Sequence, residues 1–216
     1  MMPFEPSERT TVRRRPERAV YERDVIAAIL DEAVVCHVGC VVDGRVVVLP
    51  TIHARVEDRL YLHGAVGNRT LRAARDGAEL CVTVTLLDGL VLARSAFHHS
   101  VNYRSVVIMG RAMEVRDEAE KRLALRAVVE HVVPGRSVDA REPNEAELAG
   151  TLVVRLPIDE ASAKVRSGPP VDDEEDYGLP VWAGVLPLMI RTAEPIADPR
   201  LMARVPLPAY VAGYAR

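Results

Sequence analysis

Arg45–Gly77, RVVVLPTIHARVEDRLYLHGAVGNRTLRAARDG, decides the fold. Two β-branched and apolar runs, Arg45–Val56 and Arg59–His63, read as paired strands. A Gly-containing turn then leads into a short helix that opens at Asn68. A chain passing from a strand through His63-Gly64 to a helix start leaves the first helical N–H groups without intrahelical partners. Such an end attracts an anion, most often phosphate. Arg69 and Arg72 stand in the first turn, where cations oppose the helix dipole unless an anion offsets them. A phosphorylated ligand accounts for that choice. A solvated basic helix that only joins two strands accounts for it as well, and the residues alone leave both open.

Outward from this stretch, Arg18–Ala33 places Val20, Val25, Ile26, Ile29, Leu30 and Ala33 on one stripe, which predicts an amphipathic helix. Val34–Val42 is a β-branched run ending in Asp43-Gly44, the dipeptide of a type I′ hairpin turn. Cys36, His37 and Cys40 are residue types that bind zinc. Strand alternation sends the cysteines to one face and His37 to the other, so the three do not converge and no metal site is expected.

Past the helix, Gly77 is placed as its left-handed cap. Glu79–Leu87 alternates as a half-buried strand, Asp88-Gly89 reads as a second hairpin turn, and Leu90–Ser95 returns. The polar segment Ala96–Ser105, AFHHSVNYRS, precedes an apolar strand over Val106–Val115. His98 and His99 in it are able to transfer protons, ligate a haem iron or bond to backbone, and sequence does not choose among these. Asp117 and Glu120 form a capping-box signature for a helix over Asp117–Val133, stopped by Pro134-Gly135. A helical turn at Asn144–Leu148, a strand at Thr151–Ile158, an acidic loop at Gly168–Gly178 and a last ordered stretch at Val181–Leu186 follow.

The 216 residues suit one domain, with 49% of them hydrophobic, and no run of eighteen apolar residues is present to span a bilayer. The basic N-terminus lacks the apolar core of a signal peptide, and three cysteines, an odd number, read as free thiols. A soluble cytoplasmic protein is expected. A net charge of −3 with both signs interspersed gives no footprint for nucleic acid, and Arg13-Arg14-Arg15 reads as a solvated tail. No G-x-G-x-x-G follows a strand and no P-loop is present, which argues against a Rossmann or nucleotide-hydrolysing fold. The elements sum to six or seven strands joined by hairpin turns: a mainly β class, an antiparallel barrel with flanking helices.

The segments ILDEA, VVLPTIHAR, LYLHGAVGNRTLR, FHHSVNYRSVVIMGRA, SAKVRSGPP and LPVWAGVLPL, in this order, resemble the FMN-binding split-barrel superfamily of pyridoxamine 5′-phosphate oxidase-like proteins. Within it they are most similar to the flavin-nucleotide-binding branch that includes nitroimidazole-resistance proteins. The resemblance runs from about Arg14 to Leu188. It implies an FMN-binding split barrel over 16–190, between a flexible N-terminal arm at 1–15 and an extended tail at 191–216. It implies that His63, Gly64, Asn68 and Arg69 hold the FMN phosphate and that Val48, Leu49, Pro50 and Thr51 border the flavin ring. Asn102, Tyr103, Arg104, Ser105 and Val106 are implied on the opposite wall. A homodimer with flavin at its interface is expected, in which Trp182 reaches the partner's cofactor or packs in its own core. The implied activity passes electrons or hydride from a nicotinamide to a small oxidised substrate. A non-catalytic flavin module, a haem-binding protein using His98 or His99, and deazaflavin in place of FMN are the alternatives. The C-terminus lacks the Arg- and Lys-rich pattern for a substrate phosphate, and no dedicated catalytic acid or base is identified.

Overall fold

The computed structural model describes residues 2–215. Ten strands form one rolled antiparallel sheet: β1 (Ala19–Val20), β2 (Val35–Val42), β3 (Arg45–Val56), β4 (Arg59–Ala65), β5 (Glu79–Leu92), β6 (Ser100–Arg111), β7 (Met113–Glu114), β8 (Thr151–Pro157), β9 (Glu160–Arg166) and β10 (Gly184–Pro187). Their order is β1-β9-β6-β5-β2-β3-β4-β8-β7, with β10 added to β5. Five helices accompany them: α1 (Arg23–Glu32), α2 (Arg69–Arg75), α3 (Glu118–Val132), α4 (Glu145–Ala149) and α5 (Ala209–Ala212). The mainly β barrel with flanking helices is as expected. The strands exceed the predicted six or seven because β1 and β7 have two residues each, and because β9 presents alanine rather than large apolar residues to the core.

The inner face collects Leu60 and Leu62 of β4, Leu80, Val82 and Val84 of β5, Val106 and Ile108 of β6, and Leu152, Val154 and Leu156 of β8. Ile26, Ile29 and Leu30 of α1 close this core. A second cluster, Tyr61, Val115, Ala124 and Val153, seats α3 against β4 and β8. Two histidines fasten the end of α1. His53 Nε2 lies 3.0 Å from the Leu30 carbonyl and His131 Nε2 lies 2.8 Å from that of Ala33, with the two rings 4.7 Å apart. A carbonyl only accepts, so both rings donate there and satisfy acceptors that the helix leaves open.

The Asp43-Gly44 turn forms as predicted, with φ of 50° and 73°, and pairs Val42 with Arg45. Asp88-Gly89 does not turn. β5 runs straight through it with a bulge between Leu87 and Gly89, and the chain reverses later, around the 3-10 turn Ala96–His98. β10 overrides the local turn chemistry by pairing with Gly89–Leu92. A Cβ on Gly89 would come to 3.0 Å from Val185 Cγ1 and 3.2 Å from the Leu186 carbonyl, so any other residue would press on that strand.

The expected flexible arm at 1–15 is tied down along part of its length. Phe4 is buried, its N–H bonds to the Tyr21 carbonyl at 2.9 Å, and Arg9 forms ion pairs with Glu79 and Glu160. The tail beyond 190 is mostly exposed and returns through α5, where the Tyr214 hydroxyl donates to the Val132 carbonyl at 2.9 Å. No described helix is long and apolar enough to cross a membrane.

Candidate functional site

Residues near the β4–α2 corner form the first group. Asn68 caps α2, its Oδ1 accepting from the Leu71 N–H at 3.1 Å. Arg69 is exposed and reaches the β2–β3 turn, pairing with Asp43 at 2.7 Å. The helix has only seven residues, and its expected left-handed residue is Gly77, at φ 96°. A Cβ on Gly64 would meet Leu71 Cδ1 at 3.0 Å, which explains glycine where the strand passes so near the helix. His63 faces α3, where it lines a cavity of about 470 Å³ with Leu125, Val128, Val129 and Thr151. Its Nδ1 is buried without a partner, and burial lowers its pKa.

Val48, Leu49 and Pro50 lie exposed on β3, and Thr51 is half-buried. With Val41 and Val46 they give the β2–β3 ribbon an apolar outer surface. Asn102–Val106 lie on β6, which β5 and β2 separate from β3. Within one chain the two predicted walls therefore do not face each other across a shared cavity among the described residues. Val106 points into the barrel core, which corrects its placement on a pocket wall. Arg104 is locked between Glu32 and Asp88, both in direct hydrogen bonds with its guanidinium, and Ser105 Oγ donates to the Lys164 carbonyl at 3.3 Å. Tyr103 is half-buried opposite Arg166. Trp182 is 68% exposed, so of its two expected placements core packing is ruled out.

The cysteines and His37 part as alternation requires. Cys36 and Cys40 are buried, and burial pushes the Cys36 thiol up to about 12, while His37 lies exposed on the other face. Among the described residues no group of three His, Cys, Asp or Glu is arranged to hold a metal ion.

A further cavity joins the His98-His99 stretch to cations that the sequence reading did not single out. About 920 Å³ in volume, it opens between the Pro16–Arg18 turn, the His98-His99 turn and the end of β9 with the segment after it. Arg14, Arg18, Lys164 and Arg166 line it. The Arg166 guanidinium is buried and donates to Asn102 Oδ1 and to the carbonyls of Gly168 and Pro169. Burial, followed by the nearby Arg18 charge, lowers its pKa. Asp172, whose side chain is wholly buried, is already engaged by Arg94. One sequence signal was available: Lys164 and Arg166 alternate, which places two cations on one face of a strand end.

An open antiparallel sheet rolled into a barrel, with an exposed β2–β3 ribbon and a strand-to-helix corner beside it, defines the split-barrel class. The chain belongs to the pyridoxamine 5′-phosphate oxidase family, whose sequence model matches residues 22–165. Its structure is similar to the flavocytochrome from Azotobacter vinelandii, with 44% identity over 97% of this chain and 98% of that one and a TM-score of 0.91. It is also similar to the FAD and haem binding protein from Mycobacterium smegmatis, with 38% identity, coverage of 91% and 96%, and a TM-score of 0.86. A protein from Bacteroides thetaiotaomicron described as conferring 5-nitroimidazole resistance shares the fold at 24% identity, coverage of 68% and 86%, and a TM-score of 0.58. No curated protein matched.

Proposed function

We propose that this protein is a flavin- and haem-binding oxidoreductase that moves electrons from a nicotinamide through the flavin to the haem or to a small oxidised substrate. The observation that carries this reading is the near full-length similarity to two proteins named for those cofactors, at 44% and 38% identity. One of the two names specifies FAD, which moves the expected flavin from FMN towards FAD, and both names bring in a haem protein. A flavin supplies the redox step when bound, and the chain binds and orients it.

For the flavin, the β2–β3 ribbon offers Val48, Leu49 and Pro50 as an apolar bed, and the β4–α2 corner offers the Arg69 guanidinium at the bed's end through the Asp43 turn. The same ribbon leaves Val41, Val46 and Val48 more than half exposed, an apolar surface that a second copy of the chain would cover. We read the protein as a homodimer with flavin at that seam. Across it, the exposed Trp182 of each chain is available to the other's cofactor.

The visible spectrum of purified protein, with mass measurement of the released chromophores, tests this reading. Flavin bands and a Soret band together, with flavin bleaching on anaerobic addition of NADH or NADPH, are expected. Flavin that no nicotinamide bleaches would reduce the reading to a binding module. Absence of both chromophores after reconstitution with FAD, FMN and haem would overturn it.

A further inference from the structure

Arg166, on the wall of the cationic cavity, is only 9% exposed, and its guanidinium donates only to neutral oxygens, those of the Asn102 side chain and of the Gly168 and Pro169 carbonyls. A buried charge without a counter-ion is costly, and no carboxylate bonds to this one among the described residues. The acids along the same cavity are engaged elsewhere: Glu17 with Arg15 at 3.8 Å, Asp172 with Arg94 at 3.1 Å and Asp173 with His98 at 3.2 Å. The other cations add to the excess. Lys164 Nζ donates to the Arg14 carbonyl at 2.9 Å and pairs with no acid, and the Arg18 side chain has no partner among the described residues, although its charge already bears on Arg166.

The N-terminal arm is folded so as to bring these like charges together. Arg15 takes a left-handed conformation, φ 59°, which is unfavourable for a residue with a Cβ. The Pro16–Arg18 turn then enters β1, which pairs Ala19 with Lys164 and so holds Arg18 beside the end of β9. Guanidinium and ammonium groups set together in this way suit the oxygens of phosphates. At the mouth stands Phe97, 88% exposed, with the exposed Val171 on the same rim. A bare aromatic face stacks on a nucleobase. A small polyanion would use the cationic floor and leave that rim empty, whereas a nucleotide uses both.

We propose that this cavity binds a nucleoside diphosphate moiety, its phosphates on Arg18, Lys164 and Arg166 and its base against Phe97. The moiety has two sources, a free nucleotide or one end of a nicotinamide dinucleotide, and only the second rests on the proposed function. The site is separate from the bed of Val48, Leu49 and Pro50, since β5 and β2 lie between β6 and β3.

The test is calorimetric titration of full-length protein loaded with FMN, which has no diphosphate, using ADP, inorganic pyrophosphate and adenosine as probes. ADP and pyrophosphate are expected to bind, and adenosine at least about tenfold more weakly than ADP. Arg18→Ala and Lys164→Ala are each expected to weaken ADP and pyrophosphate about tenfold. Phe97→Ala is expected to weaken ADP severalfold and leave pyrophosphate unchanged. Displacement of ADP by NADH or NADPH supports the dinucleotide as the source, and failure of both to displace it supports the free nucleotide. Wild-type protein that binds neither ADP nor pyrophosphate overturns the site, as does unchanged ADP affinity in folded Arg18→Ala and Lys164→Ala proteins. Unchanged ADP affinity in Phe97→Ala overturns the place given to the base. Loss of ADP binding when FAD replaces FMN assigns the cavity to the flavin's own diphosphate and overturns the site as a separate one. Protein that takes up no flavin is titrated without it, so failure of the proposed function and failure of this site are read apart.

Discussion

Asp172 and Arg94 are joined twice: the wholly buried carboxylate accepts from the Arg94 backbone N–H at 3.0 Å and from its guanidinium at 3.1 Å. It accepts from the Ser95 N–H as well, at 3.3 Å, so one side chain seventy-odd residues further along fixes the start of the turn that carries His98 and His99. Burial by itself would raise the Asp172 pKa. The Ser95 N–H and the Arg94 groups outweigh it and hold the carboxylate below its ordinary 3.8. A depressed carboxylate stabilises the fold fully above its unfolded value and loses that contribution as pH falls through the folded one. Asp172→Asn is therefore expected to lower Tm by several degrees at neutral pH and to flatten the acid limb below pH 3.8, measured by thermal melts across pH.

His63 is expected to titrate in the opposite sense to a histidine that gains an acidic partner. Burial lowers its pKa from 6.5, so the unfolded chain binds a proton before the folded one does. Stability then falls as pH drops from above 6.5 to the folded pKa and levels off below it. NMR titration of the imidazole gives the depressed value directly. His63→Gln is expected to remove this segment of the stability profile.

Arg69 and Asp43 make a competition that can be read in both directions. Their side chains are 75% and 78% exposed, and such surface pairs contribute only about 0–1 kcal/mol, so a phosphate can take Arg69 from Asp43 at little cost. Arg69→Ala is expected to weaken flavin binding about tenfold or more, since a charge-assisted bond contributes about 1.5–3 kcal/mol. Asp43→Asn is expected to strengthen it severalfold. Fluorescence titration with FAD and FMN measures both, and unchanged affinity in a folded Arg69→Ala protein would remove the corner from the flavin site.

Val46 stands 79% exposed at the turn end of the apolar ribbon, opposite Val41. If a second copy covers that surface, Val46→Asp buries a charge without a partner and is expected to give monomers at micromolar concentration, with flavin occupancy lost in parallel. Sedimentation velocity on wild-type and variant protein decides it; two monomeric proteins would end the dimer reading.

The parts of the fold that were legible in sequence depend on neighbours. Asp43-Gly44 turned, and Cys36 and His37 took opposite faces, because both outcomes follow from local geometry. Half of the Asp117–Glu120 signature also formed, with Asp117 accepting from the Glu120 N–H at 2.8 Å. The reciprocal half is missing because the Glu120 carboxylate bonds instead to the Tyr61 hydroxyl at 2.9 Å and to Arg155 at 2.6 Å. Those partners lie 59 and 35 residues away, where a local motif carries no information. The Asp88-Gly89 turn failed for the same reason, since the strand that straightens it comes nearly a hundred residues later. The cationic cavity likewise draws Arg18, His99 and Arg166 from three separated segments, so no single stretch of sequence announces it whole.

β5 keeps β6 along one side, while its other side is divided between β2 at Cys81–Thr83 and β10 at Gly89–Leu92. The late-arriving strand thus acts as a seal on a raw margin of the sheet. Chains cut before Gly184 would present the bare amides and carbonyls of that margin to one another, an adhesive template for fibrillar stacking. Gly89, by admitting Val185 so closely, protects the molecule from its own copies.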